Sequence, residues 1–201
     1  TWKPWSNKTS LPNDGYYYLT VDVTLTDTWS LSSNSTVALD LNGKTVSINA
    51  NSKTIESCGT VTLTDCRGGG KITHVSKNGL GVHVYGGTFD MYGGSITGNS
   101  SSSGGGGVWM QSGTFNLYDG GISGNETDRG GGVYMKDGTF NMYGGSISGN
   151  RASTYGGGVY VEDGTFNMEG GSISDNRATG GYGGYGGGVG MKGGTFNMKG
   201  G

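Results

Sequence analysis

Asp137 and Asp163 are the carboxylates best placed for chemistry in this chain. Each precedes a glycine within matching strings, Asp137-Gly138-Thr139-Phe140 and Asp163-Gly164-Thr165-Phe166. Stacked on adjacent layers, their carboxyls would lie ~5 Å apart, the separation of a retaining glycosidase pair. Asp-Gly is also ordinary tight-turn chemistry, and that reading is preferred here. His74 and His83 have no carboxylate, serine or cysteine partner that the pattern sets beside them, so no triad is indicated. Cys58 and Cys66 lack the nearby histidine pair of a zinc site. The glycine-rich stretch 180–188 holds chance matches to phosphate-loop patterns, but no helix follows to supply the mechanism. No catalytic residue, metal or cofactor is therefore expected.

Binding chemistry has better candidates. His83, Trp109, Tyr134 and Tyr160 recur at equivalent positions between inward valine and methionine, with Gly190 ending the series. A second column, Tyr92, Tyr118 and Tyr143, continues as Glu169 and Lys199. Outward-facing aromatic rows offer flat faces and hydroxyls to sugar rings. The alternative is that the rings stack on one another and stiffen the sheet. The connecting stretches 100–104, 126–129, 151–155 and 177–185 vary on a constant scaffold, which is where recognition is usually carried. The last is the longest and contributes Arg177, Tyr182 and Tyr185, side-chain types that dominate recognition surfaces. It is expected to be exposed beside Asn176, on the side of 126–129 and 151–155. The columns Asp90-Asn116-Asn141-Asn167-Asn197 and Asn99-Asn125-Asn150-Asn176 read as structural, with amides bonding along the stack. Lys136, Glu162 and Lys192 alternate in sign up another column, a surface pairing worth little.

All these positions are set by one repeat. Phe89, Phe115, Phe140, Phe166 and Phe196 follow one another at 26, 25, 26 and 30 residues. Such a period marks a solenoid, whose units bury their apolar faces only against neighbours. Within a unit, Val133 and Met135 flank Tyr134, Phe140 and Met142 flank Asn141, and Ile147 lies between serines. Alternation at period two indicates strands with one buried face. Glycine pairs supply the corners. The connections are too short for crossover helices and the period too short for propeller blades. The fold class is thus all-β, a parallel β-helix of about seven coils, on the order of 35 Å long.

Glycine is 46 of 201 residues without a Gly-X-Y period, which excludes collagen, and a net charge of −2 gives no electrostatic case for nucleic acid. No apolar run approaches the ~20 residues of a membrane span, so no insertion is expected. Residues 1–36, rich in aromatics, read as an N-terminal cap with a first strand. Residues 37–81 read as irregular coils, with Val61 in the place of the later phenylalanines, and 82–201 as regular repeats. Both ends look cut, so further domains of a longer chain are expected. Cys58 and Cys66 bracket a straight strand spanning ~26 Å, too far for a disulfide's 7 Å or so, and read as buried free thiols or corner residues.

The string Gly-Thr-Phe-Asn-Met-x-Gly-Gly-x-Ile-x-x-Asn resembles the pectin-lyase-like β-helix repeats of large secreted and wall-attached proteins of gut bacteria. It is also similar to the repeats of polymorphic outer-membrane adhesins. The opening 17–25 and the string Leu39-Asp40-Leu41-Asn42-Gly43-Lys44-Thr45 resemble the leading coils of the first group. The resemblance covers nearly the whole chain and implies a right-handed helix in an extracellular setting, at a bacterial surface or secreted. The favoured reading is an adhesin-like binding or structural segment that contacts glycan or host or matrix protein through the aromatic columns or the variable stretches. A part of a lyase or glycosidase, or an inert stalk, are the rivals, because one fold hosts all three.

Overall fold

The computed structural model describes residues 1–76, 79–102, 104–180 and 186–201. Among these, the chain winds as a parallel β-solenoid of about seven turns, without helices. Three sheets run along its length, each made of equivalent strands from successive coils. The Phe sheet has nine strands, from Lys3–Trp5 to Thr195–Met198; the Ile sheet has seven, from Val23–Leu25 to Ser172–Ser174; the Val sheet has seven, from Trp29–Leu31 to Val189–Met191. A coil passes from Phe sheet to Ile sheet to Val sheet and then begins again one layer on.

The repeat sets the register directly. Phe89 pairs with Phe115, Phe115 with Phe140, Phe140 with Phe166, and Phe166 with Phe196. Val61 stands opposite Phe89, as its place in the repeat indicates. The first four phenylalanines are fully buried in the centre, where Phe89 stacks on Phe115 and Phe140 on Phe166, at 4.8 Å for the latter, while Phe115 meets Phe140 edge to face. Burial of a side chain this size is worth about 1.5–3 kcal/mol. Because every coil adds the same inward set, the core is continuous from Leu19 to Met168.

Corners fall where the glycines are. Gly138 adopts φ 95°, and a Cβ there would collide with the carbonyl oxygen of Gly113 one coil below. Gly132 faces a second demand, since a Cβ would lie 2.7 Å from the Gly158 carbonyl oxygen. Both left-handed backbone and layer spacing therefore require glycine at such corners.

Two amide ladders run along the stack in opposite senses. On the Phe sheet, Asn116 Nδ2 donates to Asp90 Oδ1 at 2.7 Å, Asn141 to Asn116, Asn167 to Asn141 and Asn197 to Asn167. The donors point toward the N-terminus and end on a carboxylate. In the corner ladder, Asn99 donates to Asn125 Oδ1, Asn125 to Asn150 and Asn150 to Asn176. Its first acceptor, Asn99 Oδ1, lies 2.9 Å from His74 Nδ1. Buried side-chain amides are thereby satisfied on every layer.

The N-terminal region departs from the single strand expected for residues 1–36. Lys3–Trp5 pairs with Gly15–Leu19 in the Phe sheet, while Val23–Leu25 and Trp29–Leu31 start the other two sheets. The first coil thus begins at Gly15. Its alternation is short and aromatic, which hides the repeat. Residues 37–81 hold the same three-sheet register as the later coils. Cys58 and Cys66 are free, but half-buried and exposed respectively, at corners and not in the core.

Candidate functional site

Two of the variable stretches are strands, and a third begins with one. Glu126–Arg129, Arg151–Tyr155 and Arg177–Ala178 form a fourth parallel sheet, inserted where the chain crosses from the Ile sheet to the Val sheet. Each of the first two sends one side chain inward, Thr127 and Ala152, and exposes most of the rest. The outer face carries Glu126, Asp128, Arg129, Arg151, Ser153 and Arg177. Arg151 Nε lies 3.7 Å from Glu126, and Ser153 donates to Asp128 at 2.6 Å. Arg177 is on the expected side, paired with Arg151. Tyr182 and Tyr185 lie outside the described residues.

This sheet changes the reading of the first aromatic column. His83, Trp109, Tyr134 and Tyr160 do align in register on the Val sheet, pointing away from the core. They are not an exposed row, however: Tyr134 is 8% exposed, Tyr160 5% and His83 3%. Glycines shortly before the Val-sheet strands carry the backbone against the rings. A Cβ at Gly104 would lie 2.8 Å from the Trp109 indole, and one at Gly156 would lie 2.7 Å from Tyr160 Cβ. Tyr155 stacks on Tyr160 at 5.5 Å. The column is a second, aromatic core between two layers of backbone.

Its faces are also used internally. His83 stacks on Trp109 at 4.5 Å, Trp109 on Tyr134 at 6.2 Å and Tyr134 on Tyr160 at 5.7 Å. The Tyr134 hydroxyl donates to Glu162, whose other oxygen accepts from Lys192 Nζ at 2.9 Å. Burial, then the Glu162 carboxylate, pushes the Tyr134 phenol up to about 12. The Tyr134 hydroxyl and then Lys192 hold Glu162 below the usual carboxylate range.

The second column behaves differently. Tyr92 and Tyr143 are 48% and 44% exposed, with Tyr118 between them half-buried. The rings stack at 4.3 Å and 4.9 Å, nearly parallel. Burial between its neighbours pushes the Tyr118 phenol up to about 12. A stack along the solenoid axis offers edges and hydroxyls outward, so the flat platform expected for sugar rings is occupied by the tyrosines themselves. Beyond Tyr143 the column passes to Glu169, which accepts from Lys199 at 3.0 Å.

Asp137 and Asp163 act in turns. Asp137 Oδ1 accepts from the Gly138 N–H at 2.6 Å, and Asp163 Oδ1 from Gly164 at 2.8 Å. Among the described residues no group of three His, Cys, Asp or Glu is arranged to hold a metal ion. No helix of the structure is long and apolar enough to cross a membrane.

A cleft with no counterpart in the sequence reading opens where the fourth sheet ends. Ser100 bridges Glu126 on one side and Gly79 on the other, and beyond them lies a space of about 510 Å³. Ser52, Lys53, Leu80, Ser100, Ser102 and Trp109 are among its walls. Lys53 is ion-paired with Glu56. Among the described residues, Trp109 Nε1 and both ring nitrogens of His83 are buried without a hydrogen-bond partner. Each such atom costs about 1–3 kcal/mol. No shared motif marks these loops, which meet only because consecutive coils stack.

The class of protein is a parallel β-solenoid with a partial fourth sheet over one aromatic column. Comparison with known proteins finds no matching family model, no matching curated protein and no matching solved structure.

Proposed function

We propose that this chain is an adhesin-like binding segment of a bacterial surface or secreted protein, recognising glycan or host or matrix protein. The observation that carries this reading is the fourth sheet. Its outer face changes from coil to coil, from Glu126 and Asp128 to Arg151, Ser153 and Arg177, while the three-sheet scaffold beneath repeats almost unchanged. A surface that varies on a fixed frame is suited to recognition. The resemblance of the repeat to pectin-lyase-like, right-handed β-helix regions supports an extracellular setting and further domains on the same chain. Asp137 and Asp163 are tied into their own turns, which favours binding over glycoside cleavage.

The amide and tyrosine ladders favour a second reading, a stiff spacer. Glycan and matrix-protein arrays probed with the chain and with the double variant R151E/R177E separate the two. Capture by the parent that the variant loses, at unchanged melting temperature, supports recognition by the fourth sheet. Silence from the parent supports the spacer, and release of a cleaved glycan would point to an enzyme.

A further inference from the structure

We propose that the cleft beyond the edge of the fourth sheet, between Ser52, Lys53, Leu80, Ser100, Ser102 and Trp109, is a binding site for one neutral pyranose unit of a saccharide. The inference rests on the binding reading above but places the ligand at a different surface. At about 510 Å³ the cleft falls within the usual range for small-ligand sites. Its walls are of two kinds. Leu80 and the indole of Trp109 are apolar, whereas Ser52, Ser100 and Ser102 bring hydroxyls that both donate and accept. A pyranose has the same division, with C–H faces and a rim of hydroxyls.

Trp109, one of the cleft walls, also carries a buried atom unpartnered among the described residues. Trp109 Nε1 is a donor only, and an indole N–H usually finds a partner when buried. A sugar hydroxyl or ring oxygen supplies the acceptor that Trp109 lacks. His83 stacks on Trp109 at 4.5 Å. Burial, and after it the charge of Lys53, pushes the His83 imidazole below its ordinary value, which ties it to the cleft wall.

Charge selects against an anionic ligand. Among the described residues that line the cleft the one cation, Lys53, is ion-paired with Glu56, which disfavours a sulfate or a uronate. The pair can instead divide its hydrogen bonds with a neutral hydroxylated ring, Lys53 donating and Glu56 accepting.

The probes are methyl β-glucoside, methyl β-galactoside and methyl N-acetyl-β-glucosaminide, with glucuronate as the anionic comparison. The readout is the Trp109 indole N–H resonance, assigned by its absence from W109F. A saturable shift of this resonance with at least one neutral glycoside is the expected result. W109F, which keeps an aromatic ring and removes the donor, should weaken that binding about five- to tenfold in calorimetric titration. K53M should weaken it by a similar factor, and it carries the test if W109F does not fold. The proposal is overturned if no neutral glycoside moves the Trp109 signal at millimolar concentration, or if glucuronate alone does so. R151E/R177E should leave glycoside binding unchanged. Loss of array capture in that variant with no glycoside at Trp109 would retain fourth-sheet recognition and remove the cleft.

Discussion

The two aromatic columns have nearly the same sequence pattern and opposite surroundings. Tyr134 and Tyr160 follow an inward valine, Tyr118 and Tyr143 an inward leucine or methionine, and both sets point away from the phenylalanine core. Yet Tyr134 and Tyr160 are buried, whereas Tyr92 and Tyr143 are nearly half exposed. The difference lies beside the Val sheet, where Tyr155 of the fourth sheet stacks on Tyr160 and the backbone at Gly104 and Gly156 passes against Trp109 and Tyr160. Alternation determines which face of a strand a side chain occupies. It does not determine whether a further layer covers that face.

If this comparison holds, the largest effect belongs to the central core that both columns lean on. Phe140→Ala should cost about 3–5 kcal/mol in denaturant melts. A nearly neutral result would mean that the phenylalanine stack is not the core. Tyr134→Ala should come next at about 3 kcal/mol, because it opens a cavity beside the Val sheet and removes one of the two donors to Glu162. A loss under 1 kcal/mol would place Tyr134 in solvent and erase the distinction between the columns.

Tyr143→Ala should cost only about 0.5–1.5 kcal/mol, the worth of an aromatic contact at a surface. A loss matching that of Tyr134→Ala would show that the second column is also covered.

The smallest effects are electrostatic. Tyr134 and Tyr118 keep their protons in the folded state to about pH 12, above the ordinary phenol value near 10. Their contribution is complete below pH 10 and should decline as pH rises from 10 to 12, since the unfolded chain releases those protons first. Y134F should flatten only part of this decline. Glu162 gives the reverse at acid pH: its lowered carboxyl contributes stability above its unfolded value, and that contribution is lost as pH falls through the folded one. Melts of E162Q that reproduce the parent's acid slope would contradict this.

Much of the scaffold was legible in the sequence. The phenylalanine spacing reproduces the Phe-sheet register, and the asparagine columns form the amide ladders that their types suggest. Arg177 lies on the expected side. The fourth sheet was not legible, because Glu126–Arg129 and Arg151–Tyr155 each bury a single small residue and so show no apolar alternation. Missing that sheet led directly to an exposed reading of Tyr134 and Tyr160. The cleft was hidden for another reason: Ser52, Leu80 and Ser100 come from three loops with no common motif. Of the candidate site, the aromatic positions were readable while their accessibility was not.

Hydroxyl-radical footprinting of the folded chain, read at each tyrosine by mass spectrometry, tests the covering of the first column most directly. Tyr92 and Tyr143 should be oxidised rapidly, Tyr118 more slowly, and Tyr134 and Tyr160 should be protected. Equal oxidation of Tyr134, Tyr160 and Tyr143 would contradict a fourth sheet that covers the Val-sheet aromatics.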